Sequence, residues 1–169
     1  YAWSAVNGAE LNVIDDISTS LNENNPSYLA LTSESDSPAG IANRGFLDGM
    51  SVNADAKYNF SVYAKGLDGY AGKLYVRLCI DNRTAGEGII ESISDEWAKY
   101  TLSFTCAETA HRNVTLQVLA DDGKVALDMI SLFPEETFKG RENGMRKDLG
   151  KMLEALEPKF LRFPGGCII

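Results

Sequence analysis

Tyr63, Tyr75, Arg77 and Gln117 are the residues of this 169-residue chain whose types and spacing offer the clearest chemistry. Each takes a polar-side position in a segment where apolar and polar residues alternate. Rings shown together with amide and guanidinium donors can stack on the apolar face of a sugar ring and bond its hydroxyls. The alternation puts all four on an outer sheet face, which predicts a glycan platform; the same positions also suit ordinary outer-sheet residues. Tyr70, inside Gly69-Tyr70-Ala71-Gly72, reads as a hairpin-tip residue and an alternative loop contact. Trp3 and Trp97 head strands and read as plugs of a sandwich edge.

Other reactive types are sparse. His111 is the single histidine, and Glu108-Thr109-Ala110-His111-Arg112 reads as a polar turn, so a catalytic triad has no base to use. Asp121-Asp122 belongs to a turn and Glu135-Glu136 to a linker; neither has the apolar pocket that raises an acid's pKa. Cys79, Cys106 and Cys167 form no CxxC pair, which argues against a disulfide framework or a zinc site and for burial of the first two. Asn59-Phe60-Ser61, Asn82-Arg83-Thr84 and Asn113-Val114-Thr115 match the glycosylation acceptor pattern, a tripeptide that also arises by chance.

Charge narrows the partners. With 24 acidic and 16 basic residues the net charge is -8, so counterion release from a polyphosphate does not favour binding, and nucleic acid is not an expected partner. An acidic surface is compatible with neutral sugars, whose recognition rests on stacking and hydrogen bonds. No apolar run approaches the roughly 20 residues that span a bilayer, so no membrane partner is expected either.

Positioning these residues falls to strands. Up to about residue 134 the chain consists of short alternating runs separated by Gly, Asn, Asp and Pro, the pattern of an antiparallel all-β sandwich. In residues 57–65 one face holds Tyr58, Phe60, Val62 and Ala64; in 72–81 it holds Leu74, Val76, Leu78 and Ile80. Further strands are predicted over 99–106, 113–118 and, after the Asp121-Asp122-Gly123 turn, 125–133. Beyond Pro134 the period becomes helical: Met145, Leu149, Met152, Leu153 and Leu156 form one stripe, predicting an amphipathic helix over about 144–157 that Pro158 ends. An extended run over 159–163 and the Pro164-Gly165-Gly166 turn complete one helix–strand unit of a parallel α/β sheet or barrel. The stripe is expected to lean on the sandwich or to find a second chain.

Asn25-Pro26-Ser27-Tyr28-Leu29, Gly40-Ile41-Ala42-Asn43-Arg44-Gly45-Phe46, Tyr58-Asn59-Phe60-Ser61-Val62-Tyr63-Ala64 and Trp97-Ala98-Lys99-Tyr100-Thr101 resemble recurring elements of family 4 carbohydrate-binding modules. That resemblance implies a jelly roll over 1–134 whose outer face could be concave and hold a xylan chain. Leu132-Phe133-Pro134, Thr137-Phe138-Lys139-Gly140-Arg141, Arg146-Lys147-Asp148-Leu149 and above all Leu161-Arg162-Phe163-Pro164-Gly165-Gly166-Cys167 resemble glycoside hydrolase family 51, the α-L-arabinofuranosidases.

The family resemblance implies a linker, helix and strand of the catalytic (β/α)8 barrel over 135–169, following the inserted sandwich. It implies a retaining hydrolase whose glutamate pair lies downstream of the glycine turn, so this chain should be inactive alone. Arg162 and Cys167 would belong to the arabinofuranosyl pocket of the full enzyme. Asp128, in the last strand, matches a carboxylate that related modules give to a structural calcium, with Asp15, Asp16 or Glu10 as further donors; no other cofactor is implied. The implied partners are plant cell-wall polysaccharide (arabinoxylan, xylan, arabinan) and the remainder of the barrel, in a secreted or periplasmic parent. A structural insert that braces the barrel and binds no glycan is the alternative.

Overall fold

The computed structural model describes residues 3–47 and 49–160. In chain order its strands are β1 (Trp3–Val6), β2 (Glu10–Asp15), β3 (Ser27–Ser33), β4 (Ala39–Asn43), β5 (Met50–Val52), β6 (Lys57–Leu67), β7 (Leu74–Ile80), β8 (Arg83–Ile90), β9 (Ala98–Thr105), β10 (Ala110–Ala120) and β11 (Gly123–Pro134). A 3-10 turn, Phe138–Gly140, and helix α1, Lys147–Ala155, follow. The first sheet runs β1-β4-β10-β7-β8, with β5 also on β10, and the second runs β2-β3-β11-β6-β9. All pairings are antiparallel. The fold is the mainly-β antiparallel sandwich that the alternation predicts, of the jelly-roll type that the module resemblance implies.

The core lies between the sheets. Tyr58, Phe60, Val62 and Ala64 of β6 face Leu74, Val76, Leu78 and Ile80 of β7 across it, all buried as the period of two requires. Phe60 is 1% exposed, so its truncation to Ala would remove about 3–5 kcal/mol. Along one side the sheets approach closely where β8 meets β9: a Cβ added to Gly86 would crowd the Thr105 carbonyl oxygen, and one on Gly88 the Leu102 side chain. The two glycines permit a contact that a larger residue would force apart.

A corner over residues 66–73 carries the chain from β6 in the second sheet to β7 in the first. Gly66 donates its N–H to the Ser94 carbonyl (2.7 Å), and Tyr70 N–H bonds the Leu67 carbonyl (2.9 Å). Tyr70 is buried in this corner rather than displayed at a hairpin tip: its hydroxyl donates to the Lys73 carbonyl at 2.6 Å and its ring lies against Gly123. Burial removes it from the candidate contacts, because an apolar ring at a chain reversal fills the sandwich end.

The polar turn expected around His111 is instead the start of β10, and His111 meets Ser51 Oγ through Nδ1 at 3.1 Å. Trp97 does hold an edge: Nε1–H donates to the Thr19 carbonyl (2.9 Å), and the ring meets Tyr28 edge-on at 5.4 Å. Cys79 and Cys106 are buried free thiols. The helix is shorter than its stripe predicts, and Met145, Leu149, Met152, Leu153 and Leu156 are all exposed, so the stripe does not lean on the sandwich. The helix is held instead by Gly150 against Phe138. Residues 159 and 160 are not in a strand, and the remainder of the strand, with Arg162 and Cys167, lies outside the described residues. Among the described residues no helix is long and apolar enough to cross a membrane.

Candidate functional site

The four predicted platform residues divide between the two sheets. Gln117 pairs with Arg77 across β10 and β7, and Arg77 pairs with Glu87 across β7 and β8. With Ser4 and Ala42 they form one row over the outer face of the first sheet; the adjacent row is Val6, Gly40, Leu119, Tyr75 and Ile89. Their outward direction follows from the buried neighbours Val76, Leu78, Leu116 and Val118. Tyr63 is not among them. It lies on β6 between Asp128 and Lys99, on the outer face of the second sheet and so on the opposite side of the molecule. Alternation tells inward from outward in each strand, but it carries no record of the corner that switches sheets.

Within the first face the side chains are tied to one another. The Tyr75 hydroxyl donates to Asp121 Oδ1 at 3.1 Å, and the second Asp121 oxygen accepts the Lys73 N–H at 3.0 Å. Burial, with the Asp121 carboxylate second, holds the Tyr75 hydroxyl protonated above its usual range. The Arg77 guanidinium sits over the Tyr75 ring, 5.6 Å from its centroid, and pairs through Nε with Glu87. A sugar ring seeking the Tyr75 face would therefore have to displace Arg77. Two residues further along β7 the buried Cys79 thiol is pushed up by that burial.

Asp121 and Glu87 hold Tyr75 and Arg77 in place, pairings that sequence reasoning missed. For Glu87 a signal existed: Asp81 (φ 48°) and Asn82 (φ 65°) form the two-residue turn of a hairpin, which aligns β7 with β8. Simple counting places Gly86 opposite Arg77; the irregularity between Leu78 and Cys79 advances the partner to Glu87.

The carboxylates suggested for calcium are dispersed. Asp128 Oδ1 accepts the Met129 N–H at 2.7 Å in the β11 bulge, Asp16 caps Ser18 and Thr19, and Glu10 accepts from Asn12 at 3.0 Å. Glu10 and Asp15 lie at opposite ends of β2. Among the described residues no group of three or more His, Cys, Asp or Glu is placed to hold a metal, so the residues present do not fit the ion. A cavity of about 600 Å³ at one end of the second sheet is lined by Glu10, Glu34, Asp68 and Asp122, but all four are exposed and lack the apolar enclosure that general acid catalysis needs.

Comparison with known proteins fits this geometry. The extracellular exo-α-L-arabinofuranosidase of Streptomyces chartreusis is 40% identical over 149 residues, 88% of this chain and 17% of that protein. By sequence, the chain is similar to one part of α-L-arabinofuranosidases. The probable α-L-arabinofuranosidase A of Aspergillus niger is 32% identical over 178 residues, 98% of this chain and 27% of the relative. The chain thus spans about a sixth to a quarter of the length of these arabinofuranosidases. No protein-family model matches it.

In three dimensions the chain resembles the structure of a Clostridium thermocellum endo-1,4-β-D-xylanase with family 22 carbohydrate-binding and GH10 modules, complexed with xylohexaose. The TM-score is 0.58 at 13% identity, over 80% of this chain and 26% of the other. A family 4 carbohydrate-binding module gives 0.56 at 13% identity, over 79% and 95%. At such identity the likeness establishes the sandwich fold and nothing of its ligand.

Proposed function

We propose that this chain is the non-catalytic, glycan-binding portion of a family 51 α-L-arabinofuranosidase, holding neutral hemicellulose on the outer face of its first sheet. The observation that carries the reading is a row of Gln117, Arg77 and Glu87 beside Tyr75, on a carbohydrate-binding-module fold whose sequence matches arabinofuranosidases. Amide, guanidinium and carboxylate side by side supply both donors and acceptors for sugar hydroxyls. The parent enzyme would remove terminal arabinofuranosyl groups from arabinoxylan or arabinan with retention, through two glutamates downstream of this chain. The exposed stripe of α1 would pack on the remainder of the barrel, with Arg162 and Cys167 near the sugar pocket. Secretion of the parent agrees with the Streptomyces relative, which is described as extracellular.

Isothermal titration with arabinoxylan, xylohexaose and arabino-oligosaccharides tests the reading. Saturable heat that weakens in Gln117→Ala and Arg77→Ala but not in Tyr63→Ala is expected, since Tyr63 faces the other way. Chelator should change neither the heat nor the melting temperature, because the described carboxylates are dispersed. Absence of heat from the folded protein with every glycan would favour the second reading, a brace for the barrel. The mutual satisfaction of Arg77, Glu87 and the Tyr75 ring is the observation on its side.

A further inference from the structure

The first sheet's outer face offers polar groups in plenty but little free ring surface, since Arg77 covers Tyr75. An uncovered ring stands close by. Phe46 is 83% exposed and Leu47 85%, two adjacent large apolar side chains at the tip of the loop joining β4 to β5. Both ends of that loop are fastened to β10, the strand that carries Gln117: Asn43 pairs with Leu116, and Met50 pairs with Val114. The residue between these anchors, Thr115, lies one outward position from Gln117, about 7 Å along the strand. Phe46 is four residues from Ala42, Gln117's neighbour in the row, and so its Cα lies within roughly 14 Å of that row.

The tip is shaped by its own backbone. Asn43 Oδ1 accepts the Gly45 N–H at 2.7 Å, and the Gly49 N–H returns to the Phe46 carbonyl at 3.2 Å. Gly49 has φ 105° and lies so near the Asn113 and Val114 backbone that a Cβ would meet it at 3.0 Å. Leu47 is held at φ 51°, a left-handed conformation that large side chains rarely adopt. Such strain persists where surrounding contacts enforce it, and it is concentrated at binding sites. The interior side of β10 is already filled by buried Val114 and Leu116, so two side chains this exposed cannot be core residues.

We infer that Phe46 is the stacking residue of the glycan face, with Leu47 widening its apolar contact, so that one sugar of a neutral chain held by Gln117 and Arg77 lies on the Phe46 ring. This rests on the reading of the outer face given above. A ring with no polar atom selects the C–H face of a sugar and adds no charge to a surface already acidic. It supplies the contact that Tyr75, capped by Arg77 and tied to Asp121, does not offer.

The test is calorimetric titration of the chain with xylohexaose and arabinoxylan, comparing the unmodified chain with Phe46→Ala, Phe46→Trp and Gln117→Ala. Folding is checked by melting temperature, which should not move because the ring is exposed. Phe46→Ala should bind about five- to tenfold more weakly, while Phe46→Trp should retain binding and shift its fluorescence on saturation. Binding weakened by Gln117→Ala but untouched by Phe46→Ala would overturn the inference and leave the face as the site. No heat from the unmodified chain would overturn both. Concentration-dependent self-association in the ultracentrifuge that Phe46→Ala abolishes, with glycan heat unchanged, would make the tip a protein contact and overturn the stacking role.

Discussion

The hydroxyl of Ser33 is fully buried and finds no hydrogen-bond partner among the described residues. A buried hydroxyl without a partner costs about 1–3 kcal/mol relative to one that is satisfied. Ser33→Ala is therefore expected to leave stability unchanged or raise it by up to about 1 kcal/mol in urea unfolding. A loss larger than that would reveal a bridging water. Gly66 responds in the opposite sense. Its added Cβ would fall on the Tyr70 carbonyl oxygen, which is backbone and cannot swing aside. Gly66→Ala should cost about 1–3 kcal/mol by the same measurement, and a neutral result would show that the corner can open.

At the scale of elements, strands of the central sandwich were legible because burial on one face imposes a period of two on β6, β7, β9 and β10, while β11 was legible as an apolar run after the Asp121-Asp122-Gly123 turn. Sheet membership was not. Tyr63 and Tyr75 occupy equivalent positions in consecutive alternating runs, and only the buried corner around Gly66 and Tyr70 sends them to opposite sides. The same limit hid Phe46, since a loop has no period from which exposure can be read. The helix stripe was legible, its partner was not: the stripe's spacing describes a face made for packing, yet Met152 is 67% exposed and Leu156 74%. Met152→Lys with Leu156→Lys should therefore alter the stability of this chain by less than about 0.5 kcal/mol, followed by urea unfolding and far-ultraviolet circular dichroism. A clear destabilisation would mean that the stripe is already covered in solution, by a second copy or by the sandwich.

For the molecule as a whole, the tyrosines that close the sandwich set its behaviour in alkali. Burial raises the hydroxyls of both Tyr58 and Tyr70 above their ordinary range, and for Tyr70 the Asp121 carboxylate adds to the effect. An unfolded tyrosine ionises near pH 10. Below that pH both states hold the proton, and the stabilisation from burying neutral rings is fully present. Above it the unfolded chain releases protons that the folded one retains, so stability falls as pH rises from about 10 towards the raised folded values. Chemical unfolding between pH 6 and 11.5 should show a plateau, a shallow loss from about pH 8.5 as the unfolded Cys79 thiol ionises, and then this decline. Tyr70→Phe separates the two contributions of that side chain. It removes the hydrogen bond to the Lys73 carbonyl, which lowers the plateau by about 1 kcal/mol, and it removes one of the titrating groups, which makes the decline shallower. An unchanged slope in the variant would assign the alkaline loss to Tyr58, to Tyr75 and the Cys79 thiol, which are raised as well, or to the overall negative charge, which is -8 at neutral pH and grows as lysines lose their protons. Added salt distinguishes these, because it screens surface repulsion but scarcely touches a buried hydroxyl.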